Sequence, residues 1–292
     1  MIIDAHYHLD ERLETIDRLV NQMKINNIDK TSLIAAVCEP FKISWLANKL
    51  TGVLSTLLLC KNKTIGLHLY NGTVTKDGQT DILGKHYDIY ELPDNDPVEN
   101  AIKQHPDKFY GWIFVNPGIS EEDALNEIKK RAGTAGWVGV KCHPFWHRYP
   151  VKLIESICPY CIEKDLPLLI HLGGKEGRGD YKCLPEKYPD LKIIYAHAGL
   201  PYFGEIWDYI KTKPNVYVDL SSPYLNKKLR LKTLKALGPE KCLYGSDGPF
   251  GYYDADGLYD HSAILKEIES FQIPGTEKDK ILAGNFKKIT GV

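Results

Sequence analysis

Short apolar runs alternate with stretches of helical periodicity along most of the chain. The runs fall at 2–8, 32–38, 111–116, 136–143, 167–172, 192–197, 216–220 and 242–246, each rich in Val, Ile, Leu and Tyr. Near-continuous apolar runs of this length suit parallel strands buried on both faces. Between them, apolar residues recur at i, i+3 and i+4. In 13–26, Leu13, Ile16, Leu19, Val20 and Met23 make a single stripe, which predicts an amphipathic helix. Further helices are expected over 121–132, 153–164, 203–211, 228–237 and 262–270. Eight strands with intervening helices predict an α/β fold, a (β/α)8 TIM barrel. A doubly wound open sheet would carry a glycine-rich phosphate loop after an early strand, and none is present.

The rhythm breaks once, between the second and third strands. Residues 41–60 read as helix and 64–69 as an extra strand. Asn71-Gly72, Asp77-Gly78, Pro93 and Pro97 then punctuate the chain. Residues 61–95 are read as an insertion after strand two, a hairpin near the barrel mouth. With no linker, repeat or low-complexity tract, residues 1–292 are expected to form a single domain.

Composition narrows the partners. The chain has 43% hydrophobic and 26% charged residues and a net charge of −1. That balance gives no electrostatic support for nucleic acid or an anionic membrane surface. No run reaches the roughly 18 apolar residues of a membrane span. Met1 leads straight into a strand rather than a signal-peptide pattern. The seven cysteines are odd in number and scattered, and the Cys158-Pro-Tyr-Cys161 pair lies in a predicted helix without a second pair. Reduced structural thiols and a cytoplasmic location are the expectation.

Chemistry gathers at strand ends. Strand one ends Asp4-Ala5-His6-Tyr7-His8, and residues two apart on a strand project together, so His6 and His8 share a face. Strand four ends Lys141-Cys142-His143-Pro144, strand five His171-Leu172-Gly173-Gly174, strand six His197-Ala198-Gly199, and strand eight Ser246-Asp247-Gly248-Pro249. In a parallel barrel all these ends meet on one face, where active sites form. Imidazoles and a carboxylate brought together there suit a divalent cation. Taken singly, each residue has a plainer reading: exposed terminal histidines, a histidine capping a buried strand, or Asp247 as a helix N-cap.

As an ordered set these residues resemble the amidohydrolase superfamily, in its amidohydrolase-related branch of metal-dependent hydrolases and nonoxidative decarboxylases. The resemblance rests on Ile3-Asp4-Ala5-His6-Tyr7-His8, Gly139-Val140-Lys141-Cys142-His143-Pro144, Leu169-Ile170-His171, Tyr195-Ala196-His197-Ala198-Gly199, Asn215-Val216-Tyr217-Val218-Asp219, Tyr244-Gly245-Ser246-Asp247-Gly248-Pro249 and Ile281-Leu282-Ala283-Gly284-Asn285. It implies that His6, His8, His171 and Asp247 hold a divalent metal, one Zn²⁺, with Mn²⁺ or Fe²⁺ as alternatives. It implies that Asp247 takes the proton of a metal-held water and that His197 donates one to the substrate. A two-metal site bridged by carboxylated Lys141 is the alternative. With one metal, Lys141 and His143 face the substrate. Arg178, with Lys175 in the loop 173–180, is a candidate clamp for an anionic group. Ser221, Ser222, Tyr252 and Tyr253 are weaker pocket candidates, while His68, His86 and His105 read as structural.

The expected activity is hydrolysis of a small, anionic amide, lactone or ester. The alternative is nonoxidative decarboxylation of an aromatic or unsaturated carboxylic acid at the same metal site. A TatD-like nuclease is disfavoured, because Lys141 stands where that group needs a glutamate. A noncatalytic metal- or carbohydrate-binding barrel is the remaining reading. The expected partner is a small molecule, and the family suggests a homodimer.

Overall fold

The protein is described by a computed structural model at residues 1–175 and 177–292, with all side chains considered except that of Trp45. Glu176, in the glycine loop singled out above, lies outside the described residues. Among the described residues ten strands form: β1 (Ile3–Leu9), β2 (Lys30–Ala35), β3 (Gln79–Ile82), β4 (Lys85–Asp88), β5 (Phe109–Val115), β6 (Trp137–Cys142), β7 (Leu168–Ile170), β8 (Ile193–Tyr195), β9 (Val216–Asp219) and β10 (Cys242–Leu243). Eight of them make one parallel sheet in the order β1-β2-β5-β6-β7-β8-β9-β10. The segment after β10 closes it on β1. Ala5 N donates to Tyr244 O at 3.1 Å, Asp247 N to His6 O at 2.7 Å, and His8 N to Gly248 O at 2.6 Å. The result is the α/β TIM barrel that the apolar runs predict.

Every residue of β1, β6, β7, β8 and β9 is buried, as expected of strands covered on one side by helices and on the other by the barrel interior. Trp112 fills part of that interior, and its indole N–H, which burial would otherwise orphan, donates to Ala5 O at 2.9 Å. The outer helices start where side-chain oxygens can take the free backbone N–H groups. Thr15, Ser120 and Asn226 cap Ile16–Ile25, Glu121–Arg131 and Lys227–Leu237. Glu121–Arg131 also carries three acids in its first turn and three bases in its last, matching the helix dipole. The expected helix over 153–164 is split into a 3-10 turn, Val151–Ser156, and a short helix, Cys158–Glu163. Pro159 explains the break, since a continuous helix would drive its ring into the carbonyl of Glu155. Among the described residues no helix is long and apolar enough to cross a membrane.

The long excursion between β2 and β5 differs in part from the sequence expectation. Residues 64–69 are not a strand. They belong to the helix Thr64–Gly72. Their apolar alternation mimics a strand, but Gly66 and Tyr70, one helical turn apart, are the buried pair. Gly66 lies against the preceding helix Trp45–Leu59 so closely that a Cβ would stand 2.9 Å from Leu58 N. Tertiary packing therefore overrides the local pattern. The expected hairpin is present as antiparallel β3 and β4. Its turn residues, Leu83 and Gly84, have φ of 54° and 80°, the pairing a tight right-twisted hairpin requires.

Candidate functional site

The barrel brings the histidines of β1, β7 and β8 around one carboxylate, that of Asp247. Oδ1 of Asp247 lies 3.5 Å from His6 Nε2 and 3.8 Å from His8 Nε2, and Oδ2 lies 3.8 Å from His197 Nε2. His171 joins through His197, its Nδ1 standing 3.2 Å from His197 Nε2. Backbone strain gathers at the same place. His197, Ala198, Ser222 and Asp247 all have positive φ, between 54° and 79°, without being glycine. Such conformations persist only where surrounding bonds over-determine them, and they concentrate at functional sites. Here Asp247 N is fixed to His6 O, and His197 N donates to Asp219 Oδ1 at 2.9 Å. No helix follows Asp247, so it is not an N-cap.

Hydrogen bonds decide which ring nitrogen of each histidine keeps its lone pair. His6 Nδ1 donates to Asp219 Oδ2 at 2.9 Å, so the lone pair is on Nε2, where Lys141 Nζ approaches to 3.3 Å. His8 Nδ1 faces Ala35 O at 3.3 Å, which can only accept, so Nε2 is free there too. Ser221 Oγ donates to Asp219 Oδ1 and accepts from His197 Nδ1 at 2.8 Å, freeing His197 Nε2. Tyr70 O–H donates to Leu172 O at 2.9 Å and accepts from His171 Nε2 at 2.9 Å, which leaves the His171 lone pair on Nδ1. Burial, the largest cause in each case, drives all four imidazoles toward the neutral form. Three lone pairs thus converge on the Asp247 carboxylate, and the fourth, on His171, opposes that of His197 with no proton between them. A divalent cation fits this donor set, and neutral imidazole with a carboxylate is ligand chemistry for Zn²⁺ or Mn²⁺.

Two groups of donors lie close enough to share an ion: His6, His8 and Asp247, and His6, His197 and Asp219. The hydrogen bonds separate their roles. Asp219 binds the protonated nitrogen of His6, so it orients a ligand, as carboxylates behind metal histidines do. Sequence reasoning gave Asp219 no role. Its position at a strand end was the available signal, but its partner His6 is 213 residues away. Tyr70 was also missed, because it sits in the segment expected to be a hairpin. Asp219→Asn is expected to weaken metal affinity by about 10- to 100-fold without unfolding the chain. Competition against a chelator measures this, and unchanged affinity would remove Asp219 from the site.

The remaining expected site residues are placed less uniformly. His143 lines the cavity and stacks on His171 with ring centroids 4.2 Å apart. Lys141 is fully buried below it, its Nζ 3.3 Å from His6 Nε2, and does not line the cavity. Burial pulls its pKa down to about 8, against the pull of Asp219 and Asp247. Arg178 is half-buried, is not among the cavity-lining residues and has Arg148 as a like-charged neighbour. Ser222 lines the cavity, whereas Ser221, Tyr252 and Tyr253 are engaged elsewhere.

The cavity above the donors has a volume of about 390 Å³. Asp247 is the most accessible of the carboxylates and rings at its floor, its side chain 13% exposed. Burial pushes its pKa up to about 7, the largest of the competing influences, with Ser222 and Lys141 pulling the other way. A carboxylate must lose its proton to bind a cation. Metal affinity is therefore expected to be weak below pH 7 and to tighten as pH rises through it. Titrations at pH 6 and pH 8 check this, and a flat profile would contradict it.

With this geometry in hand, the comparison with known families is decisive. The amidohydrolase family model matches residues 86–289, more than half of the chain. The chain belongs to the amidohydrolase family. The matched span begins in β4, so this amidohydrolase carries His6, His8 and most of the excursion outside it. No curated protein matches the sequence. Several solved structures share the fold. A TIM-barrel protein from Bordetella bronchiseptica superposes with a TM-score of 0.65 at 15% identity, covering 99% of this chain and 98% of its own. A 4-oxalomesaconate hydratase from Rhodopseudomonas palustris gives 0.64 at 16%, covering 100% and 96%. A 5-carboxyvanillate decarboxylase from Novosphingobium aromaticivorans, complexed with manganese and 4-hydroxy-3-methoxy-5-nitrobenzoic acid, gives 0.61 at 16%, covering 100% and 96%. At such identities the likeness establishes the fold of this amidohydrolase, not its reaction.

Proposed function

We propose that the chain is a single-metal hydrolase of its family, acting on an ester, lactone or amide of a small organic molecule. The observation that carries the reading is the convergence of His6 Nε2, His8 Nε2 and His197 Nε2 on the Asp247 carboxylate at the base of a cavity, with His171 Nδ1 set against His197 Nε2. His6, His8, His171 and Asp247 would hold one Zn²⁺ or Mn²⁺. When bound, the ion supplies Lewis acidity toward a carbonyl oxygen and lowers the pKa of water to about 7. Asp247 accepts the proton of the attacking water, since its raised pKa places it near neutrality, where general bases work best. His197, its Nδ1 proton held by Ser221 and Asp219, presents an Nε2 lone pair placed to take up a proton and pass it to the leaving group. Lys141 adds positive charge beneath His6, which favours an anionic transition state.

A second reading, nonoxidative decarboxylation, has its own support. Among the described residues no Lys or Arg lines the cavity, so a substrate carboxylate would sit in apolar surroundings that favour loss of its charge. The C–C bond would break, CO2 would leave, and protonated Asp247 would deliver its proton to the carbon that keeps the electron pair. The decarboxylase and hydratase among the structural neighbours agree with this reading as well as with hydrolysis. The test is to load the purified chain with Zn²⁺ or Mn²⁺ and assay lactones and aryl esters for acid release, and aromatic carboxylic acids for CO2. Hydrolysis abolished by a chelator is the expected result. CO2 release alone would replace the first reading with the second, and turnover unaffected by the chelator would overturn both.

A further inference from the structure

The ionisable groups of the cavity gather at its floor, Asp81 apart. There His8, His143, His171, His197 and Asp247 are exposed to it, while the wall above is mostly hydrocarbon, with Phe41, Leu50, Leu54, Leu57, Ile82 and Phe250 as its main elements and Thr51, Thr73, Thr80 and Asp81 among them. Most of that wall comes from one stretch, 37–83, which leaves β2, passes through the helices Trp45–Leu59 and Thr64–Gly72 and returns along β3. An aromatic path joins floor to rim: His8 lies 5.8 Å from Phe250, Phe250 stacks on Phe41 at 5.0 Å, and Phe41 meets Tyr87 at 5.1 Å.

The helix Trp45–Leu59 explains how the wall is built. An amphipathic surface helix turns one apolar face to the core. This one is apolar on two faces. Leu54 and Leu58 are buried, while Leu50 and Val53 line the cavity and are still 45% and 56% exposed. Leu69 and Leu83 do the same from the next helix and the hairpin, at 49% and 54%. Scattered exposed apolar residues are ordinary, but a contiguous set ringing a pocket marks a binding surface. The one carboxylate of the wall, Asp81, is tied into the hairpin turn, accepting from Gly84 N at 2.7 Å. No cation lines the cavity among the described residues, so nothing there would meet a second anionic group.

We propose that this wall seats an alkyl or aryl portion of the substrate, whose single polar head reaches the floor, and that residues 37–83 set that preference. The head's placement rests on the metal-site reading given above, whereas the tail's rests on the wall alone. At about 30 Å³ per non-hydrogen atom, the share of one liquid water molecule, the cavity takes roughly a dozen such atoms. That is the size of a medium-chain acyl or a substituted aryl group, and it argues against an anionic group clamped by the loop 173–180.

The test uses n-alkyl hydroxamic acids, from acetyl to decanoyl, titrated calorimetrically into the Zn²⁺- or Mn²⁺-loaded chain and into chelator-treated chain. Kd is expected to fall roughly fourfold per added methylene, up to about the octanoyl member. A carboxylate at the far end of the chain should cancel that gain. Leu50→Glu and Leu83→Glu, both at exposed positions, should flatten the series while leaving acetohydroxamic acid unchanged. Affinity that is independent of length on the loaded chain would overturn the inference and leave the metal reading standing. Equal Kd for each member with and without metal, with the length dependence kept, would support the wall and overturn the metal reading. A series left steep in both variants, or no binding by any member, would also overturn the inference.

Discussion

Asp247→Asn is expected to lower kcat of the metal-loaded enzyme by about 10²- to 10⁴-fold, the usual contribution of a positioned acid or base. The substitution keeps the size of the side chain and one oxygen. It removes the charge that neutralises a cation and, among the described residues, the only floor carboxylate open to the cavity. Since Asp247 is expected both to ligate and to transfer a proton, kcat and metal content must be read together. Full metal occupancy with a large loss in kcat isolates proton transfer. Loss of metal as well assigns most of the effect to ligation. A change of less than about threefold in both would show that Asp247 does neither.

Arg230→Met is expected to destabilise the fold by about 3–5 kcal/mol, the typical cost of removing one member of a buried ionic set. Its guanidinium is fully buried yet well partnered. It donates to Leu220 O at 2.8 Å, to Ser222 O at 2.7 Å and to Glu267 Oε2 at 2.6 Å. Met replaces much of the packing volume but takes the donor from Leu220 O and leaves Ser222 O with Leu225 N, at 3.2 Å. Those carbonyls flank Ser221, the hydroxyl that fixes His197, so weaker metal binding should accompany the loss of stability. Urea unfolding of wild type and variant measures the first effect. A difference below about 1 kcal/mol would show that water replaces the guanidinium at little cost.

Much of this was legible in the sequence, for identifiable reasons. The barrel strands are buried on both faces, so they read as apolar runs, and parallel order forces their polar ends onto one mouth. Hence the sequence alone gathers His6, His8, His143, His171, His197 and Asp247 at that mouth. Depth along a strand was harder to read. Lys141 is two residues before His143, about 7 Å deeper at the usual strand rise, which is enough to turn a substrate contact into a buried neighbour of His6. Long-range partners were not legible at all. Asp219 and Tyr70 act on histidines 213 and 101 residues away, and only the fold reveals them. The helix Thr64–Gly72 was hidden because its alternating apolar residues imitate a strand, and the helix beside it supplies the deciding contacts.

The most direct test is elemental analysis of the purified chain after reconstitution with Zn²⁺ or Mn²⁺, alongside His6→Ala. About one divalent cation per chain, lost in the variant, is the expected result for three imidazoles and a carboxylate sharing one ion. About two per chain would make Lys141 a bridging ligand and replace the single-metal site. No retained metal in the wild type would contradict the central claim that these converging lone pairs hold a cation.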